Sequence, residues 1–178
     1  MAVDMKKVIA EATRTLLIDR NVKKLTVKDI VEECHITRQT FYYHFEDIPG
    51  LMHWILEQGM EQMLREIRGQ DGPEAGLRCF FLMTVRGMPY FRKTIESNYG
   101  EEIERLLKQK SYQMFEQIMD EGGLYENCSQ FERKLILRYH SQAVMGILRD
   151  WTEEDTQNLD KIVHEVYLLL TGAISPFA

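Results

Sequence analysis

The chain is 178 residues long, 44% apolar and 28% charged, with 22 Lys and Arg against 28 Asp and Glu. That composition belongs to a globular protein whose core is large enough to stand without disulfides, and it excludes a disordered or collagenous chain. The three cysteines, Cys34, Cys79 and Cys128, are widely spaced and form no CxxC pair, so free thiols in a reducing compartment are expected. No apolar run approaches the roughly 18 residues of a membrane span. The opening MAVDMKK lacks the apolar stretch of a secretory signal. A cytoplasmic location without a membrane partner is therefore expected.

The net charge of −6 is unevenly spread. Residues 1–47 hold 8 basic and 8 acidic residues, so the whole excess of acid lies in residues 48–178. An acidic average does not exclude a nucleic-acid partner, because association follows the local field.

Helical periodicity begins at once. Met5, Val8, Ile9, Ala12, Leu16 and Leu17 form one apolar stripe over about Asp4 to Arg20, opposite Lys6, Lys7, Glu11 and Arg14. A polar loop follows. Thr26, with Asp29 three residues on, forms a variant capping box that starts a short helix with Val27, Ile30, Val31 and Cys34 on one face. After His35-Ile36, Thr37 caps a third helix from Arg38 to about Phe45, with Phe41 and Phe45 facing inward. Two short helices joined by a tight turn and preceded by a helix predict a helix-turn-helix unit. Asp47 caps a fourth helix to about Arg68, with Pro49 tolerated in its first turn. Gly69 to Pro73 breaks it. Further helices are expected over 74–86, 89–97, 101–121, 129–151 and 157–171, with breaks at Gly87, Gly100, Gly122-Gly123 and an acidic loop at 152–156. The fold class is all-α, about nine helices, with no convincing strand.

The stretch TVKDIVEECHITRQTFYYHF, residues 26–45, carries the functional signal. A helix that enters the major groove needs hydrogen-bonding side chains near its N-terminus and buried anchors on its back. Arg38 is suited to guanine, Gln39 to adenine and the Thr40 methyl to thymine, while Tyr42, Tyr43 and His44 suit phosphates. Phe41 and Phe45 are the anchors.

This segment resembles the TetR family of bacterial transcription regulators. The likeness rests on the Thr26 and Thr37 helix starts and on Thr40-Phe41-Tyr42-Tyr43-His44-Phe45; total length also fits. The resemblance implies that Thr26, Lys28, Thr37, Arg38, Gln39, Thr40, Tyr42, Tyr43 and His44 line the DNA, with Arg38 and Gln39 on bases and Lys28, Tyr42, Tyr43 and His44 on phosphates. It further implies that the C-terminal helices bind an effector and pair two chains. The chain departs from the family in two places. His35 stands where a small residue is usual and so must adopt a left-handed conformation, which His tolerates better than a β-branched residue. Glu46-Asp47-Ile48 stands where a lysine is frequent, which removes a phosphate clamp and lowers the expected affinity.

The second half resembles the short Gram-positive members of that family, which include regulators of dihydroxyacetone use and of zinc efflux. Met83, Arg86, Tyr90, Met114, Tyr139 and His140 are the candidate effector-pocket residues. Met fills irregular cores and also suits pockets for apolar ligands. Ala143, Gly146, Ile162, Val166, Leu169 and Leu170 are the candidate dimer interface, in a four-helix arrangement implied by the family. The histidines are scattered without ligand spacing, so no metal is expected, although a site assembled from distant helices stays open. No catalytic motif and no cofactor-binding motif is present, which speaks against an enzyme.

The reading is therefore a helix-turn-helix DNA-binding domain over 1–47 and an effector-binding and dimerisation domain over 48–178. Its partners are double-stranded DNA, a second copy of the chain, and a small-molecule effector or protein co-regulator. The alternative is a helical ligand- or partner-binding module that has lost operator recognition, for which Glu46-Asp47-Ile48 is the best support.

Overall fold

A computed structural model describes residues 4–174. Among the described residues there are nine helices and no strand: α1 (Met5–Ile18), α2 (Val27–Cys34), α3 (Arg38–His44), α4 (Ile48–Arg68), α5 (Pro73–Ile95), α6 (Gly100–Glu121), α7 (Gln130–Arg149), α8 (Glu153–Gln157) and α9 (Leu159–Thr171). The helix starts follow the expected capping chemistry. Thr26 and Asp29 exchange side-chain and backbone bonds in a capping box, Thr37 accepts the Thr40 N–H at 3.1 Å, and Asp47 accepts the Gly50 N–H at 2.7 Å.

Two expectations about the helices are corrected. Residues 73–95 form one helix through Gly87 and Pro89 rather than two. Pro89 withholds one N–H from the ladder, yet the helix runs on through it. Tyr90 joins a core, and the buried Thr94 hydroxyl donates back to the Tyr90 carbonyl at 2.7 Å. The acidic stretch after Trp151 is a short helix, α8, not a loop. Thr152 and Asp155 form its capping box, and three acids sit in its first turn, where the helix dipole favours them.

The chain divides into two compact units, and the division falls within α4, α5 and α6. The first comprises residues up to Gly59 with Gly87–Lys108. Its core is built from Ile9, Leu16 and Leu17 of α1, Leu25, Ile30 and Val31, Phe41 and Phe45, Ile48, Leu51 and Met52, and Ile103 of α6. Tyr90, Tyr99 and Leu107 pack against it. The start of α6 and the end of α5 thus complete the apolar side of the N-terminal unit, although the sequence grouped them with the later helices.

The corner between α5 and α6 is tightly built. A Cβ on Gly100 would fall 1.9 Å from the Ile95 carbonyl oxygen, so only glycine fits there. The buried Ser97 hydroxyl donates to the Thr94 carbonyl at 2.6 Å.

The second unit comprises Met60–Arg86 and residues from Gln109 onward. Its centre is aromatic: Phe80 lies against Phe81 and Phe115, and Phe81 against Trp151, with centroids 5.5–5.8 Å apart. Trp151 donates its indole N–H to Thr156 at 3.0 Å. Two exposed pairs join α5 to α9, Arg78 to Asp160 at 2.6 Å and Glu74 to His164 at 2.8 Å. Such pairs contribute little individually. No helix of the described residues is long and apolar enough to cross a membrane.

Candidate nucleic-acid interface

The interface begins with the turn between α2 and α3. His35 ends α2 at φ 55° and ψ 42°, the left-handed conformation expected of it, and the chain then reverses through a hydrogen bond from the Ile36 N–H to the Val31 carbonyl. A left-handed C-cap satisfies carbonyls at the end of a helix and turns the chain sharply. Cys34 sits half-buried beside this turn, and burial pushes its thiol up to about 11, which leaves it protonated and unreactive at neutral pH.

Phe41 has no exposed surface and Phe45 is 6% exposed, so the back of α3 is fixed in the core. Tyr42 and Phe41 meet edge to face, as do Tyr43 and His44. The opposite face is bare. Tyr43 is 85% exposed and Tyr42 56%. Arg38 and Gln39 are also exposed, and among the described residues neither has an intramolecular hydrogen-bond or ion-pair partner. Exposed aromatic surface beside solvated donors on one short, anchored helix marks the face as one built for a partner.

The remaining candidates divide. Thr26 and Thr37 act first as caps: the Thr26 hydroxyl donates to Asp29 at 2.6 Å, and Thr37 and Thr40 share a 2.9 Å hydroxyl contact. Lys28 is exposed but leans toward Glu32, 3.8 Å away on the next turn. Phosphate oxygens compete easily for a lysine in so exposed a pair.

Lys6 was not singled out from the sequence. It lies on α1, 5.4 Å from the Phe45 ring centroid and 5.9 Å from that of Trp54, half-buried rather than wholly in solvent. Asn98 was missed as well. Its side chain accepts the Leu25 N–H at 3.0 Å and its backbone N–H donates to the Lys23 carbonyl at 3.1 Å, which fixes the loop that leads into α2.

Residues 9–53 match the model for bacterial regulatory proteins of the tetR family, a span that runs from α1 through the helix-turn-helix into α4. Residues 9–53 are therefore a DNA-binding domain of the tetR-family type. The likeness also extends to full-length proteins. The chain is 25% identical over 175 residues to the dhaKLM operon transcriptional activator DhaS of Lactococcus lactis, covering 97% of this chain and 91% of that protein. A solved dihydroxyacetone kinase operon activator DhaS aligns over 97% of both chains with a TM-score of 0.67 at 21% identity. FadR of Bacillus subtilis, solved with stearoyl-CoA, aligns over 95% of this chain and 99% of its own with a TM-score of 0.54 at 14% identity. At these identities the two structural likenesses speak to the fold. The tetR-family domain and the full-length DhaS relative support a DNA-binding transcription regulator rather than an enzyme.

The second-half candidates lie in different settings. Met114 is in the core of the second unit, Met83 is half-buried, and Arg86 and Tyr139 are exposed. Tyr90 belongs to the first unit; burial pushes its phenol up to about 12, and among the described residues its hydroxyl makes no hydrogen bond within the usual distance and angle. His140 stacks on Tyr125, whose hydroxyl lies 3.3 Å from the imidazole Nε2 and donates to the Leu170 carbonyl at 2.9 Å. Neither a concavity of about 360 Å³ beside Arg20, Glu33 and His35 nor one of about 440 Å³ beside Glu154, Lys161 and Glu165 is lined by any of these six residues.

Of the candidate interface residues, Ala143 and Leu169 are exposed, and Gly146, Ile162 and Leu170 are partly exposed. Val166 is buried at 5% exposure in its own chain's core, so it does not face outward as expected. Phe131 and Leu135 on α7, 77% and 54% exposed, were not among the candidates, and Tyr139, a pocket candidate, is 69% exposed on the same helix.

Proposed function

We propose that two copies of this regulator bind a pseudo-palindromic operator, each placing α3 in one of two successive major grooves. The observation that carries this reading is the face of α3: Arg38, Gln39, Tyr42 and Tyr43 are exposed on a helix whose opposite side is locked by Phe41. Arg38 and Gln39 read base edges. Tyr42, Tyr43, His44 and Lys28 hold phosphates, and Thr26, Thr37 and Thr40 order the helix starts beside them. The DNA-binding domain takes residues 1–47 as its recognition unit, and residues 48–178 carry effector binding and dimerisation. A protein that reads chromosomal operators acts in the cytoplasm.

The second copy docks through α7 and α9. Phe131, Leu135, Tyr139, Ala143 and Gly146 recur at intervals of three or four on α7, and a Cβ on Gly146 would meet nothing within its own chain. Leu169 extends the apolar surface on α9. An effector or co-regulator bound among Met83, Arg86, Met114 and His140 of the second unit changes the spacing of the two recognition helices, and with it the match to the operator. The DhaS likeness over the full chain supports a positive regulator.

Sedimentation of the purified protein, alone and with a generic duplex, tests this reading. A dimer that binds duplex with affinity falling steeply in salt is expected. A monomer indifferent to DNA at low salt would leave the partner-binding alternative standing.

A further inference from the structure

We infer that Lys6, on α1, is a DNA-phosphate contact at the C-terminal edge of the recognition helix; the inference rests on the operator-binding reading above. With the N-terminal residues of α3 toward the base edges, the C-terminal end of this seven-residue helix, at His44 and Phe45, lies toward the phosphate backbone. At the C-terminal end the chain is acidic. Glu46 and Asp47 are both exposed, and either carboxylate repels a phosphate. Asp47 is committed to the Gly50 N–H at the start of α4, which ties down its carboxylate but leaves its charge.

The cation that offsets them comes from another helix. The Lys6 ammonium lies over the rings of Phe45, the residue that ends α3, and Trp54 of α4. Two aromatic faces hold the side chain in place without neutralising it. Among the described residues Lys6 has no carboxylate partner, since Asp4 pairs with Lys7 at 3.9 Å. A positive charge that is held still, unpaired and set beside the end of the groove-binding helix is placed to receive a phosphate without further ordering.

The test is the salt dependence of binding to a generic 30-base-pair duplex, followed by fluorescence anisotropy for the full chain and its variants. Lys6→Met keeps the packing of the stem on Phe45 and Trp54 and removes the charge. The slope of log affinity against log salt should become shallower by about 0.9 for each protomer engaged. Lys6→Arg should keep the wild-type slope, and Glu46→Lys added to Lys6→Met should restore it, a recovery that repair of packing alone cannot give. A wild-type slope in Lys6→Met, or its failure to recover on adding Glu46→Lys, overturns the contact and leaves the regulator reading intact. A wild-type chain with no salt-dependent duplex binding overturns both.

Discussion

The Asn98 side-chain amide grips both backbone polar groups of Leu25: its carbonyl oxygen accepts the Leu25 N–H at 3.0 Å, and its NH₂ donates to the Leu25 carbonyl at 3.4 Å. Leu25 itself is 1% exposed and stands one residue before the Thr26 cap. A single side chain from the α5–α6 corner thus sets where α2 begins, and the placement of α3 follows through the His35 turn. Truncation by Asn98→Ala leaves the Leu25 amide unpaired, which costs about 1–3 kcal/mol. Asn98→Asp keeps the acceptor and should recover part of the loss. Urea unfolding measures both; equal midpoints for wild type and Asn98→Ala would show that water replaces the amide at no cost.

Phe41 and Tyr43 are two residues apart and should separate stability from binding. Phe41→Ala empties a fully buried site in a small core and should cost about 3–5 kcal/mol, enough to unfold the helix-turn-helix. Tyr43→Ala removes a side chain that is 85% exposed; stability should stay within about 0.5 kcal/mol while affinity for duplex DNA falls. Thermal melts beside a binding titration make the comparison. A Tyr43→Ala protein that binds as wild type removes that residue from the interface.

Arg38 and Lys28 should fail in different ways. Loss of a base contact in Arg38→Ala relaxes preference at one base-pair position by about 1–3 kcal/mol, whereas Lys28→Ala weakens all sequences alike. Binding of each variant to a panel of single-base operator substitutions distinguishes them. Uniform weakening in Arg38→Ala would reassign Arg38 to the phosphate backbone.

His35 holds φ at 55°, a conformation that costs a residue with a side chain about 1–2 kcal/mol. Replacement by glycine relieves the strain but adds flexibility to the unfolded chain, about 0.5–1 kcal/mol in the other direction. His35→Gly should therefore stabilise by up to about 1 kcal/mol, and His35→Val should destabilise, because a β-branched side chain fits this region worst. A glycine variant less stable than wild type would mean that the imidazole makes a contribution of its own.

His140 carries a pH prediction. Burial lowers its pKa from the ordinary histidine value, so the unfolded chain binds the proton more readily than the folded one. Its contribution to stability is complete above about pH 6.5 and is lost as pH falls toward the lowered value. Denaturation midpoints measured from pH 7.5 to 5 should drop, and His140→Phe should flatten that part of the profile. An unchanged profile in the variant would place the acid sensitivity elsewhere.

Local chemistry made the first half readable. The Thr26 and Thr37 caps and the inward Phe41 and Phe45 follow from residues within four positions of one another, the left-handed His35 follows from the family resemblance, and the structure has them all as expected. The errors arose where distant packing decided. Gly87 reads as a helix break, yet the helix continues through it and Pro89, with Tyr90 packed against the core and Thr94 buried. Asn98 carries no local signal because its partner is 73 residues away. Lys6 follows the polar side of α1 in sequence, and only the folded positions of Phe45 and Trp54 give it a seat. Val166 and Leu169 share an apolar helix, and sequence could not tell which faces the chain's own core.

Selection of bound duplexes from a random library at moderate salt tests the central claim most directly. The account predicts an enriched inverted repeat whose half-sites lie about one helical turn, or a whole number of turns, apart. Folded, dimeric protein that enriches no motif, with and without candidate effectors, would contradict it.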